Sequence, residues 1–186
     1  MKVLGVSGSL RAGSHNAAIL RGARELMPTG VELELWDGLR DIPPYDEDSD
    51  AEAAPPAVAA FRAALAGADA VLFSTPEYNS SIPGQLKNAL DWASRPLATS
   101  VLRNTPVAVV GASTGAFGAV WAQAELRKVL GAIGARVVEG EVAIGHAHQN
   151  LDGDGRLTDD NLREEFAEVL EGLVGAVHAR TAAVAA

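Results

Sequence analysis

The 186 residues predict an α/β fold on a five-stranded parallel sheet in the doubly wound order 2-1-3-4-5. Three observations carry that reading. Short β-branched runs alternate with longer segments of helical period along the chain. Two of the runs, 70–73 (AVLF) and 107–110 (VAVV), are apolar throughout, as strands covered on both faces must be. Three loops rich in Gly, Ser, Thr or Asn each follow a strand-like run: 7–16 (SGSLRAGSHN), 75–84 (TPEYNSSIPG) and 111–118 (GASTGAFG).

The elements follow in order. Residues 3–6 form the first strand. A helix over 16–27 sets Ile19, Leu20, Ala23, Leu26 and Met27 on one face, and Pro28 and Gly30 end it. In 31–36, Val31, Leu33 and Leu35 alternate with Glu32 and Glu34, so this strand has one wet face and suits the sheet edge. Segment 37–56 is irregular, with four prolines and acidic residues at Asp46, Glu47, Asp48, Asp50 and Glu52. A helix over 57–66 leads to the strand at 70–73. The next helix, 83–93, turns Leu86, Leu90 and Ala93 inward, with Pro83 in its first turn. After the strand at 107–110, a helix over 120–133 buries Leu126, Val129, Leu130 and Ile133 and stops at Gly134. The last strand begins at 136–138. A final helix over 160–179 carries the stripe Leu162, Phe166, Val169, Leu170, Leu173 and Val177, with Thr158 as its cap, and 181–186 is a frayed tail. No repeat or linker divides the chain, so 1–186 reads as a single domain.

Composition narrows the function classes. A net charge of −9 argues against a nucleic-acid binder, which would carry a basic face. With no cysteine, thiolate catalysis, disulfides and Fe–S or Zn–Cys sites are excluded, so a redox role needs an organic cofactor or a non-thiolate metal. The N-terminal apolar run is too short for a signal sequence and no stretch reaches the length of a membrane span; the expected compartment is the cytoplasm. His146 and His148 lack a third ligand at matching spacing. The segment 152–156 (DGDGR) resembles a calcium loop but fails at Arg156 and Arg163, so no metal is expected.

In an open parallel sheet, ligands bind beyond the carboxyl ends of the strands at the point where strand order reverses. Here that point lies between the first and third strands, where the first two loops emerge. The first loop opens a helix, whose free N–H groups and dipole favour phosphate; Arg11 adds a charge-assisted donor and Ser9, Ser14 and Asn16 add neutral ones. It lacks the P-loop lysine, having Ser14 and His15 after Gly13, and does not fit the dinucleotide glycine pattern. A single phosphate monoester suits it best, although taken alone it also reads as a helix-capping turn. In the second loop, Pro76, Asn79, Ser80, Ser81 and Pro83 stiffen the backbone while Glu77 and Tyr78 offer polar edges and an aromatic face. That suits the edge of a planar heteroaromatic ring; a plain strand-to-helix connection fits equally. The third loop, with Ser113, Thr114 and Gly115, is either a wall of the same pocket or another helix cap.

Together these stretches resemble the NADPH-dependent FMN reductase family of flavodoxin-like proteins, which includes quinone, azo-dye and chromate reductases. The resemblance runs through 7–16, 75–92, 111–118, 42–48 and 151–160. It implies a flavodoxin-like three-layer fold and FMN as cofactor, with NADPH or NADH as electron donor. By this resemblance Ser9, Arg11, Ser14 and Asn16 hold the FMN phosphate. Pro76, Glu77, Tyr78 and Asn79 lie along the isoalloxazine ring, and Ser113, Thr114 and Gly115 form the third flavin loop. It further implies ping-pong hydride transfer, from NAD(P)H to flavin N5 and then to a quinone, azo compound, metal oxyanion or free flavin, with no catalytic side chain needed for the first half. A homodimer or homotetramer is also implied, with the helix 87–92 and the Tyr45 loop as interface candidates. One departure stands out: Trp121 occupies a position where the family often has Arg, and Ala119 one where it often has Gly. A flavodoxin-like electron carrier or flavin-binding regulator without turnover is the alternative. A phosphate-binding hydrolase on the same fold lacks both a Cys and an Asp directly after the first strand to serve as nucleophile.

Overall fold

Strand β1 (Lys2–Ser7) is flanked by β2 (Glu32–Trp36) and β3 (Ala70–Thr75), both parallel to it, with Val6 opposite Trp36 on one side and Phe73 on the other. The computed structural model describes residues 1–50 and 54–185, so Glu52 of the acidic segment lies outside it. Strand β4 (Pro106–Ala112) and then β5 (Arg136–Val137) extend the sheet beyond β3, giving the order β2-β1-β3-β4-β5. The expected doubly wound order is thus found, with β2 at the edge; its alternation is real, Leu33 being buried while Glu32 and Glu34 are exposed.

Helices cover both faces. On one, α2 (Pro56–Ala66), α3 (Gly84–Ala93) and α4 (Val120–Ile133) bury Phe61, Leu65, Leu86, Leu90, Leu126 and Leu130 against Val71, Phe73, Val107 and Val109. On the other, α1 (His15–Gly22) and α6 (Asp160–Ala185) bury Ile19, Leu20, Phe166, Leu170 and Leu173 against Val3, Leu72, Ala108 and Val110. The period of two in β3 sends Val71 and Phe73 one way and Ala70 and Leu72 the other, which is why its sequence shows no polar alternation. Each such fully buried large side chain contributes about 1.5–3 kcal/mol.

Several boundaries differ from the sequence reading. Helix α1 ends at Gly22 and tightens into a 3₁₀ turn over Ala23–Glu25 rather than running on to Met27. The last strand is in two pieces, β5 (Arg136–Val137) and β6 (Val142–Ile144), both parallel to β4. Between them the backbone leaves the sheet, and the Arg127 guanidinium fills the gap. It donates to Val138 O at 2.9 Å, to Val109 O at 3.1 Å and to Gly140 O. Burial holds Arg127 below its usual pKa. A short α5 (Ala147–Asn150) follows β6. Asp159, not Thr158, caps α6: its carboxylate accepts from Leu162 N at 3.0 Å, while the Thr158 hydroxyl donates to Gln149 O. The helix then runs to Ala185, so most of the expected frayed tail is helical. Gly134, at φ +93°, ends α4 as expected.

Within the helix 87–92, Trp92 packs inside its own chain: it is fully buried, donates through Nε1 to Pro43 O at 2.9 Å, and packs edge-on to Tyr45. Asp50 of the acidic segment is paired to Arg62 at 2.9 Å. No described helix is long and apolar enough to cross a membrane.

Candidate flavin site

The first loop leaves β1 beside the end of β3, and Gly8 N donates to Ser74 O at 2.8 Å, so the ladder continues past the strand. The turn then closes on Ser14, which caps α1: its hydroxyl accepts from Ala17 N at 3.2 Å. Ser9 steadies the turn by accepting from Arg11 N. The second loop begins at buried Pro76, and Tyr78 and Ser81 exchange two backbone hydrogen bonds, with Asn79 (φ +54°) and Ser80 (φ +60°) at the tip. In the third loop, Gly118 adopts φ +55°, and a Cβ there would sit 2.2 Å from the Ala143 carbonyl carbon; only glycine allows this approach to β6. That loop is pinned further by Ser113 N to Ile144 O, Ala147 N to Ser113 O and His146 N to Gly115 O.

The three loops surround one cleft of about 270 Å³. Its walls include Ser9, Arg11, Ser14 and Asn16 from the first loop, Pro76, Glu77 and Tyr78 from the second, and Ser113 and Thr114 from the third. Asn79 and Gly115 are not among its lining residues: Asn79 is carried away by the hairpin-like tip, and Gly115 faces the β6–α5 turn. His15 does line the cleft, although the sequence reading passed over it. Its position directly after the capping Ser14, as the first residue of α1, was the available signal.

Two lining residues also bond inside the protein. Asn16 is buried; its Nδ2 donates to Ala112 O at 3.0 Å while its Oδ1 accepts from Ala112 N at 3.1 Å and from the Ser74 hydroxyl at 2.8 Å. It therefore completes the end of β4 as a neighbouring strand would, and one Nδ2–H is left beyond these bonds. Glu77 reaches across to the first turn of α4: its Oε2 accepts from Trp121 N and Ala122 N, both at 3.1 Å. Helix α4 starts from Ala119 at φ +62° with no side-chain cap of its own, so Glu77 is its cap, supplied from another loop.

At the first-loop end the character is cationic. Arg11 is exposed and makes no ion pair among the described residues. Burial, with Arg11 and His148 close by, holds the His15 imidazole below its usual 6.5. On the second-loop side, Tyr78 lines the cleft and is 52% exposed. Phe117 and Trp121, exposed by 63% and 50%, lie outside the lining, and their rings meet edge to face at 5.2 Å.

This donor set fits FMN. A phosphate monoester there would meet Arg11, two serine hydroxyls and the first turn of a helix, with the rigid second loop on the same cleft wall. Comparison with known proteins agrees: a family model described as NADPH-dependent FMN reductase matches residues 1–149. The chain belongs to the NADPH-dependent FMN reductase family. Among curated relatives, it is 47% identical over 174 residues, 93% of each chain, to a protein of Pseudomonas aeruginosa named NAD(P)H-dependent FMN reductase. It is 37% identical over 165 residues, 88% of this chain and 89% of the relative, to a 2-hydroxy-1,4-benzoquinone reductase of a Burkholderia species. Among solved structures, the flavoenzyme NAD(P)H:(acceptor) oxidoreductase of Paracoccus denitrificans superposes with a TM-score of 0.84 at 31% identity, covering 96% of this chain and 98% of that one. A flavodoxin variant of Pseudomonas aeruginosa, at 19% identity and a TM-score of 0.57, covering 92% of this chain and all of that one, shares the fold.

Proposed function

We propose that this chain passes electrons from NAD(P)H to a small-molecule acceptor by a ping-pong reaction at the three-loop cleft. The acceptor class we infer is a quinone, an azo compound, a metal oxyanion or free flavin. FMN, when bound, supplies the two-electron relay between donor and acceptor. The protein's part is to bind, orient and leave one side accessible. Arg11, Ser9, Ser14 and the first turn of α1 would hold the phosphate. Pro76 and Tyr78 would lie along the ring, with Thr114 and Ser113 on the opposite wall. Glu77 would act indirectly, by locking the second loop to α4. Asn16 would do the same for the first loop through β4, and its second Nδ2–H would be the part left for the phosphate. Asn79 and Gly115 would shape the second and third loops.

The observation that carries this reading is the cleft itself: Arg11, Ser9 and Ser14 share one site with the stiff second loop and its exposed Tyr78. An open ring side suits a donor and an acceptor that must use the same place in turn. The quinone assignment is further supported by the name of the Burkholderia relative. The exposed Phe117 and Trp121, outside the cleft lining, support assembly of single-domain copies as a homodimer or homotetramer that leaves the cleft accessible.

Steady-state kinetics of the FMN-loaded protein tests the order of events. With NADPH and 1,4-benzoquinone both varied, double-reciprocal plots should be parallel. Intersecting lines would show that donor and acceptor are bound together and would overturn the ping-pong scheme.

A further inference from the structure

The cleft wall carries a second basic side chain beside Arg11. His15, on the first turn of α1, shares that wall with Arg11 and Ser14. Among the described residues no carboxylate is paired with Arg11 or His15. Glu77, the acidic residue of the cleft wall, is turned to the N–H groups of Trp121 and Ala122. In a chain of net charge −9, two basic side chains left without an acidic partner on one cleft wall suit an anion.

Resting on the reading of this cleft as the FMN site, we propose that His15 is a second cationic contact of the phosphate and binds a proton when the phosphate arrives. FMN capture is then linked to pH, and the protein holds FMN more weakly as pH rises. The physical cause is a change of neighbours. In the free protein partial burial and the nearby Arg11 guanidinium favour the neutral His15 ring. A dianion beside it favours the imidazolium, so binding draws a proton from solution. Neutral ligands gain nothing from this exchange. Riboflavin, which has the ring but no phosphate, is therefore the internal control.

The test is the affinity of the whole chain for FMN and for riboflavin between about pH 7 and about pH 9, where the phosphate is already dianionic, its second pKa being about 6. The Kd for FMN should rise roughly threefold to tenfold across that range, while that for riboflavin stays level. His15→Gln should level the FMN curve and leave riboflavin binding as it was. Independently of any variant, calorimetry of the unaltered protein in buffers of different ionisation enthalpy should register net proton uptake on FMN binding near pH 7. An unchanged slope in His15→Gln, or a level FMN curve without proton uptake in the unaltered protein, overturns the proposal while leaving the FMN site intact. Failure of the unaltered protein to bind FMN at any pH overturns both.

Discussion

Arg11 and Asn16 stand five positions apart in one motif and do opposite work. Arg11 points its charge outward with no partner, whereas Asn16 spends both ends of its amide on Ala112 and Ser74. Their substitutions should therefore separate binding from stability. Arg11→Ala removes a charge-assisted contact worth about 1.5–3 kcal/mol, so the FMN Kd should rise by roughly 10- to 100-fold with an unchanged unfolding midpoint. Equal FMN affinity in the variant would place the phosphate elsewhere. Asn16→Leu strands the Ala112 N–H and C=O and should lower unfolding stability by about 2–4 kcal/mol in urea titration. Arg11 was legible in the sequence because an unpaired arginine in a turn before a helix has few structural uses. The role of Asn16 was not, because its partner lies 96 residues away and only the folded sheet brings the two together.

At the scale of elements, the site depends on one loop capping another's helix. Glu77 supplies the cap that Ala119 cannot, so Glu77→Ala should cost about 0.5–2 kcal/mol of stability. Because the same contact fixes the second loop, the variant should also bind riboflavin, which lacks the phosphate, more weakly. Undiminished riboflavin affinity would show that the loop holds its shape without the cap. The alternation of strands and helices, the edge position of β2 and the stop at Gly134 were legible because each follows from local pattern. The division of the last strand was not: the short run VAI at 142–144 carries no turn signal beyond Gly140, and the break is occupied by Arg127 from α4. Arg127→Leu leaves the carbonyls of Val109, Val138 and Gly140 without that donor and should destabilise the protein by about 1–3 kcal/mol by urea unfolding.

Across the whole molecule, the sheet order brings three separate loops to one edge, and this arrangement could be anticipated from where the apolar runs end. Distant charge pairing could not. Arg156 joins Glu25 at 2.6 Å, tying the 152–157 turn to the end of α1, 131 residues away. That contact holds the Glu25 carboxyl below its usual 4.5, and backbone N–H donors, led by that of Arg156, hold Asp152 below 3.8. Both shifts are downward, so the stabilisation is complete above those values and fades as pH falls through the lowered folded-state pKa values. The unfolding midpoint should therefore drop as pH falls below about 5, and drop less in Arg156→Met; an identical acid response would remove this pair from the account. The site was legible as a place, the edge where three loops converge on one cleft. The partners that hold it rigid, Glu77 with α4 and Asn16 with β4, emerged only from the fold.

The central claim is that this cleft holds FMN where NAD(P)H can reduce it. Anaerobic stopped-flow absorbance of the FMN-loaded protein, mixed with NADPH and separately with NADH, tests it most directly. The account predicts rapid bleaching of the flavin band by at least one donor without any acceptor present. Tightly bound FMN that neither donor bleaches would contradict it, and would make the chain a carrier or regulator instead.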